Sequence, residues 1–430
     1  MSGAETTYST RTVVLSLVAG VFFGGVVGGV AFPTLPRLGA LLGFSALVVG
    51  IILSVNRLTR MVLNAPAGTV LDRFGTRRPM LAGFVFEGLA PVGYVLGLTG
   101  AWTGGIASVL PVTATTVSAA TFVLARVLWG VGSAFVIVGA FSTVTQVTTT
   151  ENRGKWTGYM RAGQTLGFPA GLVAGGLAAN LLGFRAAFVL AGVADVIALV
   201  VAYLYLPDIR ADVDEPTRLR DIPRLALADT RVFAIGTTNF VCRLLYSGIL
   251  LSTVVTYVAT KNISIGVLSA TGVSGIVMAV SALFSGITTV VVGNAADNVT
   301  DRALVSLPSL AFFGGGFAAL ALVPTLAGTL AGAAAIGIGV EGTSLPLLAY
   351  LGDISPAEDV GKLGGVYNVF GDFGGTVGPL VALPFAEGFG YGIEYLLCVV
   401  FVVAAGALVA VSLLGKDSTT VNEPAVTADD

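Results

Sequence analysis

"GTVLDRFGTRR", residues 68–78, brings Asp72, Arg73, Arg77 and Arg78 together in a chain that is 55% hydrophobic and only 11% charged. Soluble domains carry about 25% charged residues, so these 430 residues cannot cover themselves with a solvated skin. A helix that crosses a bilayer needs about 20 mostly apolar residues, and stretches of that kind recur along almost the whole chain. The charged stretch therefore reads as a tight connection at the membrane surface, with an apolar span on either side.

Working outward from it, the hydropathy predicts twelve spans: 12–36, 44–66, 79–101, 118–146, 155–181, 184–206, 231–258, 264–293, 302–324, 327–351, 361–385 and 390–414. The Pro-, Asp- and Arg-rich segment 207–230 separates six spans from six, with room for a surface helix. The predicted organisation is an N-terminal six-helix bundle (1–206), a cytoplasmic linker (207–230), a C-terminal six-helix bundle (231–415) and a polar tail (416–430) that reads as disordered. With the N-terminus inside, fourteen Lys and Arg residues between spans fall on the inner side, and only Arg37, Arg185 and Lys261 on the outer. That bias places both termini in the cytoplasm.

Several classes are excluded. There is no histidine, and the two cysteines, Cys242 and Cys398, lie in apolar runs without metal-ligand spacing, so no metal site and no cofactor are expected. A net charge of −2 gives no reason to expect nucleic acid. The N-terminus lacks the basic region of a cleaved signal peptide, and the first span reads as retained. No phosphate-binding loop with a Gly-Lys-Ser/Thr ending is present, which leaves a pump without a motor and an enzyme without a site.

The two halves echo each other. "GNAADNVTDR" (293–302) follows the eighth span as the opening stretch follows the second, with Gly293 and Asp297 matching Gly68 and Asp72 at one common offset. Gly154, Lys155 and Gly158 at the opening of the fifth span match Gly361, Lys362 and Gly365 at the opening of the eleventh. Parallel repeats of this kind suit a transporter of two rocking bundles.

On these residues the chain resembles the major facilitator superfamily. The match in the loop between the second and third spans covers Gly68, Asp72, Arg73, Gly75, Arg77 and Arg78. Arg126, Gly130 and Gly132 in "RVLWGVG" resemble the family's fourth-helix motif, and "ENRGKWTGYM" its entry into the fifth helix. The resemblance implies an all-α membrane protein with twelve transmembrane helices in two pseudo-symmetric six-helix bundles. It also implies a conformational latch at Gly68–Arg78, echoed by Gly293 and Asp297. "GQTLGFPAGLVAGG" is similar to the fifth-helix motif of drug antiporters, except that Phe168 stands between Gly167 and Pro169.

Charges within spans are the candidate functional groups, because one at the bilayer centre costs about 2.5–3.5 kcal/mol. Asn56, Arg60 and Asn64 share one helix face, with Arg57 at its edge. Asn239, Arg243 and Tyr246 form a similar stripe, as do Asn368 and Asp372, and Glu341 sits mid-span. By the resemblance, Arg57, Arg60, Arg126, Arg243, Glu341 and Asp372 reach the transport pathway, whereas Glu87 and Asp195 fall on scaffolding helices. Arg161, near an inner end, snorkels. The expected substrate or cavity set is Asn56, Arg57, Arg60, Arg243, Tyr246 and Glu341. The proton-coupling candidates are Asp372, Glu341 and Arg126. Glycines spaced by four, Gly163, Gly167, Gly171 and Gly175, predict close helix packing.

The resulting expectation is a secondary active transporter of the plasma membrane, a monomer in the lipid bilayer. It would move a small molecule by alternating access, with proton-coupled export. One alternative is transport of an organic or inorganic anion held by the central arginines. Another, of a different class, is a transport-fold receptor without flux.

Overall fold

The computed structural model describes residues 9–149, 152–209, 222–296, 299, 302–356 and 360–414. The elements are α1 (Thr10–Leu41), α2 (Ala46–Phe74), α3 (Arg77–Gly97), α4 (Gly100–Val109), α5 (Ala114–Val147), α6 (Arg153–Leu181), α7 (Phe184–Tyr205), α8 (Ile222–Ala228) and α9 (Thr230–Arg243). A π-helical stretch (Leu244–Leu250) leads into α10 (Leu251–Thr260), followed by α11 (Ala270–Ala296), α12 (Arg302–Leu322), α13 (Leu326–Ile354), α14 (Val360–Phe389) and α15 (Tyr391–Ser412). Among the described residues, eleven spans are long and apolar enough to cross a membrane, α9 to α10 counting as one from Thr230 to Thr260. The twelfth is α6, whose 29 residues equal α2 in length. Glycine in place of larger apolar side chains lowers its hydropathy.

Local structure departs from the sequence reading in two places. The second helix does not stop before the charged motif; it runs through Gly68 and Asp72 to Phe74 and breaks at Gly75, which has φ 79° and ψ 169°. That conformation suits glycine alone. Gly68 is thus interior to the helix and Asp72 lies in its last turn, not at a cap. The extra helix α4 fills the connection between the third and fourth spans, where the hydropathy predicts no span.

Contacts divide the chain into two units, one of Met1–Val48 with Val55–Asp214 and the other of Val49–Ser54 with Glu215–Asp430. Each unit uses the same internal pairings. In the first, α1 packs on α6, α3 on α5, and α3 on α7. In the second, α9 and the π stretch pack on α14, α12 on α13, and α12 on α15. Small residues make these contacts possible. A side chain on Gly163, Gly167, Gly171 or Gly175 would run into Val18, Phe22, Val26 or Val30 of α1, four residues apart on both helices. In the second unit the corresponding row sets Gly374 against Phe240 and Gly378 against Gly248.

The outer faces are those of a membrane protein. Helix α7 buries Ala187, Ala191, Ala194, Asp195, Ala198 and Ala202. It exposes Val189, Val193, Val196, Ile197 and Val200. Small residues inward and large apolar ones outward would be a liability in water, but that arrangement is the ordinary one in lipid, where packing rather than hydrophobic burial drives association.

Candidate functional site

Three helices bring charge to one level of the first unit. Arg60 is the middle residue of α2, and Glu87 the middle residue of α3. Arg126 comes from α5, which lies so close to α2 that a side chain at Gly130 would begin 2.6 Å from the Asn56 carbonyl oxygen. Together with Asn56, Arg57, Trp129, Gln164 and Phe168, these residues line a cavity of about 210 Å³. That volume is small beside the roughly 300–1,000 Å³ of drug-sized sites and suits a small solute or one polar head group.

The guanidinium groups are oriented by named neighbours. Arg126, 1% exposed, donates through Nη2 to Asn56 Oδ1 and lies 5.4 Å from the Trp129 ring centroid. Arg57 lies 5.6 Å from the centroid of Phe32. Cations over aromatic faces are stabilised by the ring quadrupole. Glu87 interacts electrostatically with Arg60 and with Asp195 of α7. Gly132 gives Glu87 its room, since a side chain there would begin 2.7 Å from its Cγ, whereas one on Gly24 would begin in ordinary contact, 3.4 Å from its Oε2.

The second unit treats its central charges differently. Arg243 Nη1 and Glu341 Oε1 are 3.3 Å apart, an ion pair between α9 and α13. Asn239 Nδ2 donates to the Tyr367 carbonyl at 2.8 Å, and Tyr367 Oη donates to the Ser344 carbonyl at 3.0 Å. Tyr246, in the π stretch, is 8% exposed. Asp372 accepts at its backbone carbonyl from Thr376 Oγ1, 2.7 Å away. π-helical turns of this kind often mark functional positions in membrane and soluble helices alike.

The charged motif is tied to its own unit. The Thr76 N–H donates to the Ile209 carbonyl at 2.8 Å, and Arg77 Nη2 to the Tyr203 carbonyl at 2.8 Å. A side chain on Gly75 would begin 2.5 Å from Asp208 Oδ1. Arg73 lies 5.4 Å from the Phe74 ring centroid. Arg78 opens α3 beside Arg77. Gly293 lies in α11; Asp297 falls outside the described residues.

The structure thus gathers Asn56, Arg57, Arg60 and Arg126 at one cavity and sets Arg243 against Glu341 in the other unit. Sequence reasoning put Glu87 on a scaffolding helix, yet it lines the cavity. Helix order tells which helix is peripheral; it does not tell which side chain crosses a glycine gap toward the centre. Among the described residues, no group of three His, Cys, Asp or Glu could hold a metal ion, and Cys242 and Cys398 are free and buried.

Twelve membrane-length helices in two like units, with guanidinium groups around a cavity at mid-helix, define a multi-pass membrane transporter. Comparison with known proteins agrees. The family model of the Major Facilitator Superfamily matches residues 17–286 and 265–428, and the chain belongs to that family, whose members transport solutes and are not enzymes. Multidrug resistance protein 2 of Bacillus subtilis is 26% identical over 198 residues, 46% of this chain and 44% of that protein. An uncharacterised MFS-type transporter of Methanocaldococcus jannaschii is 27% identical over 168 residues, 39% of each chain. The chain thus matches less than half the length of these relatives. A bacterial homologue of the human lysosomal transporter Spinster, solved in an inward-facing and occupied conformation, superposes with a TM-score of 0.71. At 15% identity over 94% of this chain and 96% of that one, it shares the fold.

Proposed function

We propose that the protein is a secondary active transporter of the plasma membrane that exports a small molecule by alternating access, coupled to protons, with both termini in the cytoplasm. The observation that carries this reading is the cavity at the middle of α2 and α3, where guanidinium and carboxyl groups share one wall. Groups of both signs at that depth serve binding and ion exchange better than packing, since each is costly there. The matched stretches of two Bacillus subtilis multidrug resistance proteins support the export direction. The motif at Gly68–Arg78 serves as the latch of the rocking cycle, with Gly293 and Asp297 as its counterpart.

A second reading is favoured by one specific observation. In the second unit Arg243 is matched by Glu341. In the first, Arg57, Arg60 and Arg126 converge on one cavity together with Glu87. Several guanidinium groups lining one cavity suit an anionic solute, which they can hold by charge-assisted hydrogen bonds. The test is flux through the purified protein in proteoliposomes, with a fluorescent cation (ethidium) and a fluorescent anion (carboxyfluorescein) as probes. The export reading expects movement of a probe that follows an imposed pH difference. Flux of neither probe, with or without the difference, favours a receptor that does not transport.

A further inference from the structure

The acids behind the arginines form a pair of their own. Glu87 and Asp195 lie at the midpoints of α3 and α7 and are 2% and 1% exposed. Asp195 Oδ2 is 2.5 Å from where a side chain on Gly88, the residue after Glu87, would begin. The absence of a side chain at that glycine lets Asp195 pack against α3 beside Glu87. Glu87 Oε2 and Asp195 Oδ1 are buried and accept no hydrogen bond. Glu87 lines the cavity, whereas Asp195 stands behind it.

The surroundings fix the charge balance. From α2, Arg60 interacts with Glu87, and Arg57 lines the same cavity; from α5 comes Arg126; α1 offers Gly24, Gly25 and Gly28 but no charged group; and α7 contributes Asp195. Two like charges at short range in a poor dielectric repel strongly. One buried oxygen of each, Glu87 Oε2 and Asp195 Oδ1, has no N–H or O–H to compensate. A single proton on the pair removes the repulsion and supplies a donor, and Arg60 balances the charge that is left. Carboxylate pairs of this kind titrate as one coupled system.

We propose that Glu87 and Asp195 together hold one exchangeable proton, loaded and released through the cavity at Glu87, with Asp195 as the positioning partner. Release moves the proton from the pair to cavity solvent and leaves two carboxylates, of which Glu87 faces Arg60. A cationic solute therefore competes with the proton at Glu87, while an anionic solute binds along with it. The part of the pair in transport rests on the proton-coupled reading above; the existence of the proton does not.

The test is pH-difference infrared spectroscopy on the full-length protein in lipid, read at the C=O band of a protonated carboxylic acid. The expected result includes a titrating band that disappears in Glu87→Gln and shifts in Asp195→Asn. Glu394→Gln, which alters a buried acid of α15 far along the chain, should leave that band in place. The absence of any titrating band in the wild-type protein overturns the proposal, and this outcome does not depend on any variant folding. If every titrating band survives unchanged in both Glu87→Gln and Asp195→Asn, the proposal is also overturned. If the band behaves as expected but a pH difference drives neither ethidium nor carboxyfluorescein, the proton pair stands and the coupled-transport reading falls.

Discussion

The two six-helix units share their internal pairings and differ in how they handle charge. The second unit closes its central guanidinium on a partner, Arg243 on Glu341 at 3.3 Å. The first gathers three guanidinium groups around a cavity, with Glu87 on the same wall and Asp195 behind it. The packing of the duplicated scaffold was kept in both halves: glycine rows on α6 and α14 bring backbones together in each. Chemistry at the same depth was not. A repeat fixes which helices touch, while the solute site depends on a few side chains that each half acquires separately.

That contrast can be broken by substitution. The largest effect is expected for Arg126→Ala, because Arg126 is fully buried and orients Asn56. Loss of a charged hydrogen-bonding group costs about 1.5–3 kcal/mol, so solute affinity should fall about 10- to 100-fold, measured by equilibrium binding. A change below threefold would move Arg126 out of the binding site. Next in size is Glu341→Gln in the second unit. Removing one partner of a buried pair costs about 3–5 kcal/mol. This pair keeps 33% and 22% of its side-chain surface exposed, so about 1–3 kcal/mol of stability is expected instead. The double variant Arg243→Ala/Glu341→Ala should lose less than the two single variants summed, and strict additivity in thermal unfolding would contradict the pair.

An effect of the same order is expected at the motif. Gly75→Ala places a side chain at φ 79° and against Asp208, at a cost of about 1–3 kcal/mol; an unchanged melting temperature would argue against this strain. The smallest effect on stability is expected for Asp72→Asn, which should slow flux while leaving membrane insertion and melting temperature unaltered. Undiminished flux would argue against the latch.

The difference between the units also marks how far the sequence could be read. Spans and the charged motif are local patterns of hydropathy and spacing, and they emerge as helices close to where expected. The end of α2 does not, because helical hydrogen bonding continues through Asp72 and Arg73 after hydropathy has fallen; only Gly75 stops it. Helix α4 was hidden by a short, glycine-containing sequence without a span's length. Arg243 and Glu341 are both visible as central charges, but a contact between residues so distant in the chain leaves no mark on either stretch. Glu87 was the costliest miss. Its route to the cavity passes between Gly24 and Gly132, on two other helices, and no periodicity within α3 reports that gap.

The central claim is that the arginine-lined cavity of the first unit, and not the ion pair of the second, binds the solute. The most direct test is thermal stabilisation of the purified protein by a library of anions, cations and neutral compounds, repeated on Arg60→Ala and on Arg243→Ala/Glu341→Ala. The account predicts that compounds stabilising the wild type no longer stabilise Arg60→Ala but still stabilise the double variant. Stabilisation that survives in Arg60→Ala and vanishes in the double variant would contradict it.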